Sequence, residues 1–202
     1  MGTHESAVTQ PGAYPIRQIV TDDLARRRVT VFFRLLLAIP HLIWLSIWTL
    51  AGTVLWFVDW IWTLIAGQSP DWAHNFFTAL SRYTAHVTAY LFLAAEPFPG
   101  FMGDPGYPVD LEIDPPALQR RVITLFRPIL AIPMLIVASV LRYLLEIIGI
   151  IAWFYIIVTG RMHEGMRNLL TFTIGFNART YGYVAFLTDR YPPFSERGFP
   201  TS

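Results

Sequence analysis

The residues that could do chemistry in this chain are the ionisable side chains that interrupt its long apolar stretches. Asp59, Arg82, His86, Arg142, Glu146 and Arg179 all fall inside runs otherwise made of aliphatic and aromatic residues. Each is costly there unless it is paired, so each marks a point of interest. Asn75, Arg82 and His86 are spaced i, i+7, i+11 and share one helix face, and Asn168, Gly175 and Arg179 repeat that face further on. Asp59 and Arg82 fall at depths where they can meet within one hairpin. Arg142 precedes Glu146 by four residues, and Arg179 comes to a similar depth. Such groups can neutralise one another as structural ion pairs, line a water-filled path for a proton or ion, or offer a docking stripe to a protein partner. The pattern is asymmetric (Asp59 against Ala152, Glu146 against Thr53, Arg82 against Gly175), which argues against a symmetric pore.

Other chemistries lack their signatures. The five histidines show no HExxH spacing, and neither a Gly-rich phosphate loop nor a GxSxG elbow occurs. With Cys 0, thiolate catalysis, cysteine metal sites and disulfides are excluded. Ser46 and Ser139 recur without an acid–base partner in sequence reach and read as packing residues. The expectation is a non-enzymatic protein with no catalytic residue, cofactor or metal.

The elements that must position these residues are helices in a membrane. The stretch His41 to Ala66, HLIWLSIWTLAGTVLWFVDWIWTLIA, carries a single formal charge, Asp59, and no proline. A helix of that length is about 39 Å long, more than the roughly 30 Å of bilayer hydrocarbon. The whole chain is 54% hydrophobic and only 14% charged, against about 25% charged in soluble domains. A net charge of +1 and the lack of a basic tract give no reason to expect nucleic acid as a partner. The polar first 22 residues do not read as a signal peptide. Trp44, Trp48, Trp56, Trp60 and Trp62 read as an aromatic belt, facing lipid or packing.

The chain then repeats itself 93 residues on, without a gap. Tyr14-Pro15 returns as Tyr107-Pro108, Phe33-Arg34 as Phe126-Arg127, and Ala38-Ile39-Pro40 as Ala131-Ile132-Pro133. Trp60, Gly67, Tyr90 and Pro99 return as Trp153, Gly160, Tyr183 and Pro192. This is an internal duplication. It divides the chain into a disordered tail (1–13), a first membrane repeat (14–101), a linker (102–106), a second repeat (107–195) and a C-terminal tail (196–202). Each repeat offers a short extended segment, an amphipathic interfacial helix ending or kinking at Pro40 or Pro133, a long span and a more polar second helix.

The expected fold is all-α, with both helices of each repeat crossing the membrane to give four transmembrane helices in two parallel copies. The basic clusters Arg26, Arg27, Arg28 and Arg34, then Arg120, Arg121 and Arg127, then Arg190 and Arg197 share one face in that arrangement. The positive-inside rule makes it cytoplasmic, together with both termini of a multi-pass plasma-membrane protein. If the second helix lies at the interface instead, each repeat crosses once and the copies are inverted.

The combinations LLLAIPH, Thr159-Gly160-Arg161 and FLTDRYPPFS (Phe186 to Ser195) resemble the bacterial family known as domain of unknown function 4389. The resemblance runs from Tyr14 to Ser195. It implies an integral membrane protein, common in actinobacteria and often present as two tandem copies, and it brings no activity to carry over. The first copy departs from the closing motif, reading Glu96-Pro97-Phe98-Pro99-Gly100-Phe101. In the second copy Asp189, Arg190 and Tyr191 sit where the last helix meets the interface and can anchor there or contact anionic lipid or a partner subunit. The functional expectation is an accessory, scaffold or assembly subunit whose partners are the lipid bilayer and other membrane subunits, with homo-oligomers also compatible. The competing expectation is a small transporter or channel using Arg82, His86, Arg142, Glu146 and Arg179.

Overall fold

A computed structural model describes residues 14–193. Both tails, with Arg197 and the end of the DRYPPFS motif, lie outside the described residues. The elements are β1 (Ile16–Val20), α1 (Arg28–Ala66), α2 (Asp71–Leu91), β2 (Val109–Ile113), α3 (Arg121–Leu130), α4 (Ile132–Thr159) and α5 (Glu164–Val184). The chain is mostly helical, and α1 and α4 are long and apolar enough to cross a membrane.

The long helix differs between the copies, and proline explains how. α1 runs unbroken for 39 residues with Pro40 inside it. Its counterpart divides at Ala131 into α3 and α4, because Pro128 and Pro133 together remove two backbone donors near that point, where the first copy has Leu35 and Pro40. Gly67 and Gly160 end the two long helices in left-handed conformations, φ 80° and φ 75°, that a side chain would strain.

The fold is not purely α-helical. Ile16 to Val20 pairs antiparallel with Val109 to Ile113, with Gln18 opposite Leu111. Charged and aliphatic residues alternate in VDLEI, whereas IRQIV, with Arg17-Gln18 and Ile19-Val20 adjacent, is held as a strand by its pairing with that partner. This ribbon lies on α2 and α5. Those two helices pack against each other and against the long helices. The result is three layers, the long helices, then α2 with α5, then the ribbon.

The two copies do not run parallel. Arg28 Nη2, at the start of α1, donates to the Val158 carbonyl near the end of α4 at 2.9 Å. Ala25 forms an antiparallel bridge with Arg161, and Met162 N donates to Leu24 O. At the opposite end, Gln119 N donates to the Gly67 carbonyl that closes α1. Trp153 Nε1 reaches Val31 O at 3.1 Å, and its counterpart Trp60 Nε1 reaches Thr124 O at 3.0 Å. The long helices are therefore antiparallel over their whole length. Parallel copies would put the start of α1 and the end of α4 on opposite faces of a membrane, so the four-crossing parallel arrangement is ruled out. A local two-fold axis relates the copies, running through the ribbon and between the long helices.

The long helices bury only one stripe. On α1 it includes Val31, Arg34, Ala38, His41, Gly52, Asp59 and Thr63, spaced three and four apart for most of its length. Most of the rest is apolar and exposed, with Leu36, Leu50, Phe57 and Ile65 on α1 and Ile136, Val140, Ile150 and Phe154 on α4, Arg142 and Glu146 being charged exceptions. Ser46, Ser139 and Thr53 on this surface donate their hydroxyls to carbonyls four residues earlier and so present no unpaired donor.

Candidate functional site

The polar residues form two copies of one device and several contacts confined to a single copy. The device sits where each second helix ends. Arg34 Nη1 donates to Tyr90 O (2.7 Å) and Ala95 O (3.0 Å), and its Nη2 to Glu96 Oε2 at 2.9 Å. Arg127 Nη1 donates to Tyr183 O (2.8 Å) and Thr188 O (3.1 Å), and its Nη2 to Gln119 Oε1 at 2.6 Å. Each guanidinium also stacks over a tyrosine ring, Tyr90 at 4.4 Å and Tyr183 at 4.6 Å. A helix leaves its last carbonyls without partners and carries partial negative charge there, so a buried cation with several donors is well matched to it. Leu93 and Phe186 adopt positive φ, 67° and 59°, just beyond these ends. Their carbonyls accept from Arg26 Nε and Gln119 Nε2.

These contacts revise the reading of the basic clusters. Arg26, Arg34 and Arg127 are buried and bind backbone carbonyls, so they do not face lipid. Arg27, Arg28, Arg120 and Arg121 do lie exposed near the ends of the long helices. Arg120 Nε pairs with Asp189 at 3.0 Å. Arg190 is exposed, and Tyr191 packs edge-on to Tyr183 while remaining half-exposed.

The second cluster has no copy. Asp110, on β2, accepts from Arg82 Nε (3.1 Å) and Nη2 (2.8 Å), and from the backbone N–H groups of Gly106 and Leu111. His86 Nε2 lies 2.8 Å from Asp110 Oδ1, and beside an ionised carboxylate that nitrogen is the donor. Burial alone would raise the Asp110 pKa. The bonds from His86, Arg82 and the backbone outweigh it and hold the carboxyl well below the usual carboxylate range. Tyr107 lies with its ring 4.6 Å from His86, and burial raises its phenol. In the other copy Arg17 stands in the place of Asp110 and pairs with Glu112 and Asp114. The cluster therefore ties the ribbon to the middle of α2.

Arg82 and His86 come together as their shared face requires, but around Asp110. Asp59 does not meet Arg82. It is buried near the end of α1, where Thr63 Oγ1 and Ser69 Oγ each donate to it at 2.9 Å. Arg142 and Glu146 pair at 3.7 Å on an exposed side of α4, apart from the other charges. Arg179 is buried in α5, and its positive charge acts on the Tyr14 phenol. Asn75 and Asn168 are exposed at the starts of α2 and α5 and join neither cluster. Asp110 is the residue that sequence reasoning missed. The alternation of Val109 to Ile113 gives no signal for it, because it groups Asp110 with exposed Glu112, opposite the core residues Val109 and Leu111.

A third polar contact is also confined to one copy. His41 Nδ1 lies 2.8 Å from Tyr83 Oη, enclosed by Phe98 and Phe101 rings at 4.4 Å. In the other copy Met134 and Phe176 pack in the same place. The tryptophans are mostly connectors. Trp44, Trp56, Trp60 and Trp153 donate their indole N–H to carbonyls of other segments, whereas Trp62 is exposed.

One family model matches the chain twice, over residues 28–103 and 121–196, and it is described as domain of unknown function (DUF4389). The chain belongs to this family, with two tandem copies. The matched segments begin 93 residues apart, the offset at which the arginine devices, glycine caps and tryptophan contacts recur. No curated protein and no solved structure matches the chain.

Proposed function

We propose that the protein is a non-enzymatic accessory, scaffold or assembly subunit of a larger plasma-membrane complex, with both termini on the cytoplasmic side. One observation carries the reading: the polar side chains best placed for chemistry are already engaged in holding the fold. Arg34 and Arg127 close the ends of α2 and α5, Asp59 closes the turn after α1, and Arg82 and His86 hold the ribbon through Asp110. What remains for a partner is surface, namely the exposed arginines and the apolar sides of the long helices.

The test is the native mass of the full chain extracted gently from its own membrane. Stoichiometric co-migration with unrelated subunits, at several times 23.1 kDa, supports the accessory role. Migration alone or as a small homo-oligomer removes it. The transporter reading is tested with Glu146→Gln and Arg179→Gln. A transporter carrying these changes loses flux while staying assembled, whereas an accessory subunit keeps its partners unless its stability falls.

A further inference from the structure

The geometry points to a seating in which α1 and α3–α4 lie in the plane of one anionic leaflet, crossing nothing, with the ribbon in the cytoplasm. Three observations converge on this. The first is length. From Val29 to Ala66 every charged side chain of α1 is buried, so its exposed surface is apolar for about 55 Å, far beyond the roughly 30 Å of hydrocarbon. The antiparallel partner α3–α4 runs beside it with its own apolar exposed surface. A pair of helices apolar along one side for that distance matches a leaflet's surface better than its thickness.

The second is the position of the charges. The ribbon crosses the middle of α2, where Arg82 and His86 hold Asp110. If the helices crossed a bilayer, Arg17, Glu112 and Asp114 on the ribbon would sit at mid-depth. There they would be partly or well exposed to hydrocarbon along with the unpaired strand edges. Arg142 and Glu146, 71% and 47% exposed halfway along the long-helix layer, would be stranded at the same depth. In the in-plane seating the ribbon is in water, and the Arg142 stem reaches up toward headgroups.

The third is symmetry and charge. The two-fold axis then stands along the membrane normal, so both copies meet the same leaflet with the same apolar layer. The exposed Arg27, Arg28, Arg120, Arg121 and Arg161 form a basic rim at the two ends of the long-helix pair, suited to anionic headgroups.

The seating rests on the membrane assignment of the chain but not on its having partners, so its test can fail independently of the native-mass experiment. The chain has Cys 0, so single cysteines can be placed cleanly. Ala25→Cys marks the start of α1 beside the end of α4, and Leu118→Cys marks the end of α1 beside the start of α3. Both positions are exposed. A membrane-impermeant maleimide is applied to intact cells and to inside-out vesicles. In-plane seating gives labelling of both cysteines in inside-out vesicles and protection of both in intact cells. Any arrangement in which the antiparallel long helices cross exposes one cysteine on each side, and that result overturns the inference. A glycine cap variant, Gly67→Ala, carried through the same labelling keeps a mere loss of stability apart from a change of side.

Discussion

At the residue scale, buried arginine does most of the polar work, and it does so against backbone. Arg127→Met removes the charged donor to Tyr183 O, Thr188 O and Gln119 Oε1, a loss of about 3 kcal/mol. Arg34→Met should cost a similar amount, since it removes the donors to Tyr90 O and Ala95 O and the ion pair to Glu96. Thermal unfolding in mild detergent measures both, and a near-zero shift for either variant would contradict the assignment. Asp110 gives a pH signature. Its folded pKa lies below the ordinary value of about 4. Its contribution is therefore complete above pH 4, declines below it, and is gone once the depressed folded value is passed. Asp110→Asn should lower stability at neutral pH and flatten that part of the acid limb. Much of this scale was not legible in the sequence. Arg34 and Arg127 stand out as a repeated pair, but a guanidinium in an apolar helix looks the same whether it faces lipid headgroups or a carbonyl cluster 56 residues away.

At the element scale, the duplication makes every prediction come in pairs. Gly67→Ala and Gly160→Ala each place a side chain in a left-handed cap and should cost about 1 kcal/mol. Gly160 has the tighter site, with Arg28 Nε 3.3 Å from where the added carbon would sit. Trp60→Phe and Trp153→Phe each remove one indole donor to the opposite long helix. They should cost about 1 kcal/mol apiece and add nearly independently in the double variant. Chemical unfolding of the four single variants and the double checks these values. The long apolar helices, the glycine stops and the more polar second helices follow from composition and periodicity alone. The ribbon is not legible in the sequence, because five-residue strands carry too little pattern to be separated from an extended segment before a helix. Nothing local distinguishes the intact α1 from the divided α3–α4 except Pro128.

At the scale of the whole molecule, the tandem repeat fixed that two equal units exist without fixing their relative direction. A 93-residue offset is equally compatible with parallel copies and with a two-fold pair. The choice is made by contacts far apart in sequence, Arg28 to Val158 and Gly67 to Gln119 among them. The positive-inside rule favours parallel crossings because basic clusters begin both long helices, and these long-range contacts override it; within the clusters Arg34 and Arg127 are buried. The two-fold relation of the copies depends on the long helices being antiparallel, and that arrangement can be tested directly. Ala25 and Arg161 are antiparallel bridge partners, and such pairs lie about 4.5–5.5 Å apart between Cα atoms, within the span of a disulfide. With Ala25→Cys and Arg161→Cys together in the otherwise cysteine-free full chain, mild oxidation in native membranes should form an intramolecular disulfide in nearly all of the protein. Failure to form it, or a disulfide found only between two chains, would contradict the account.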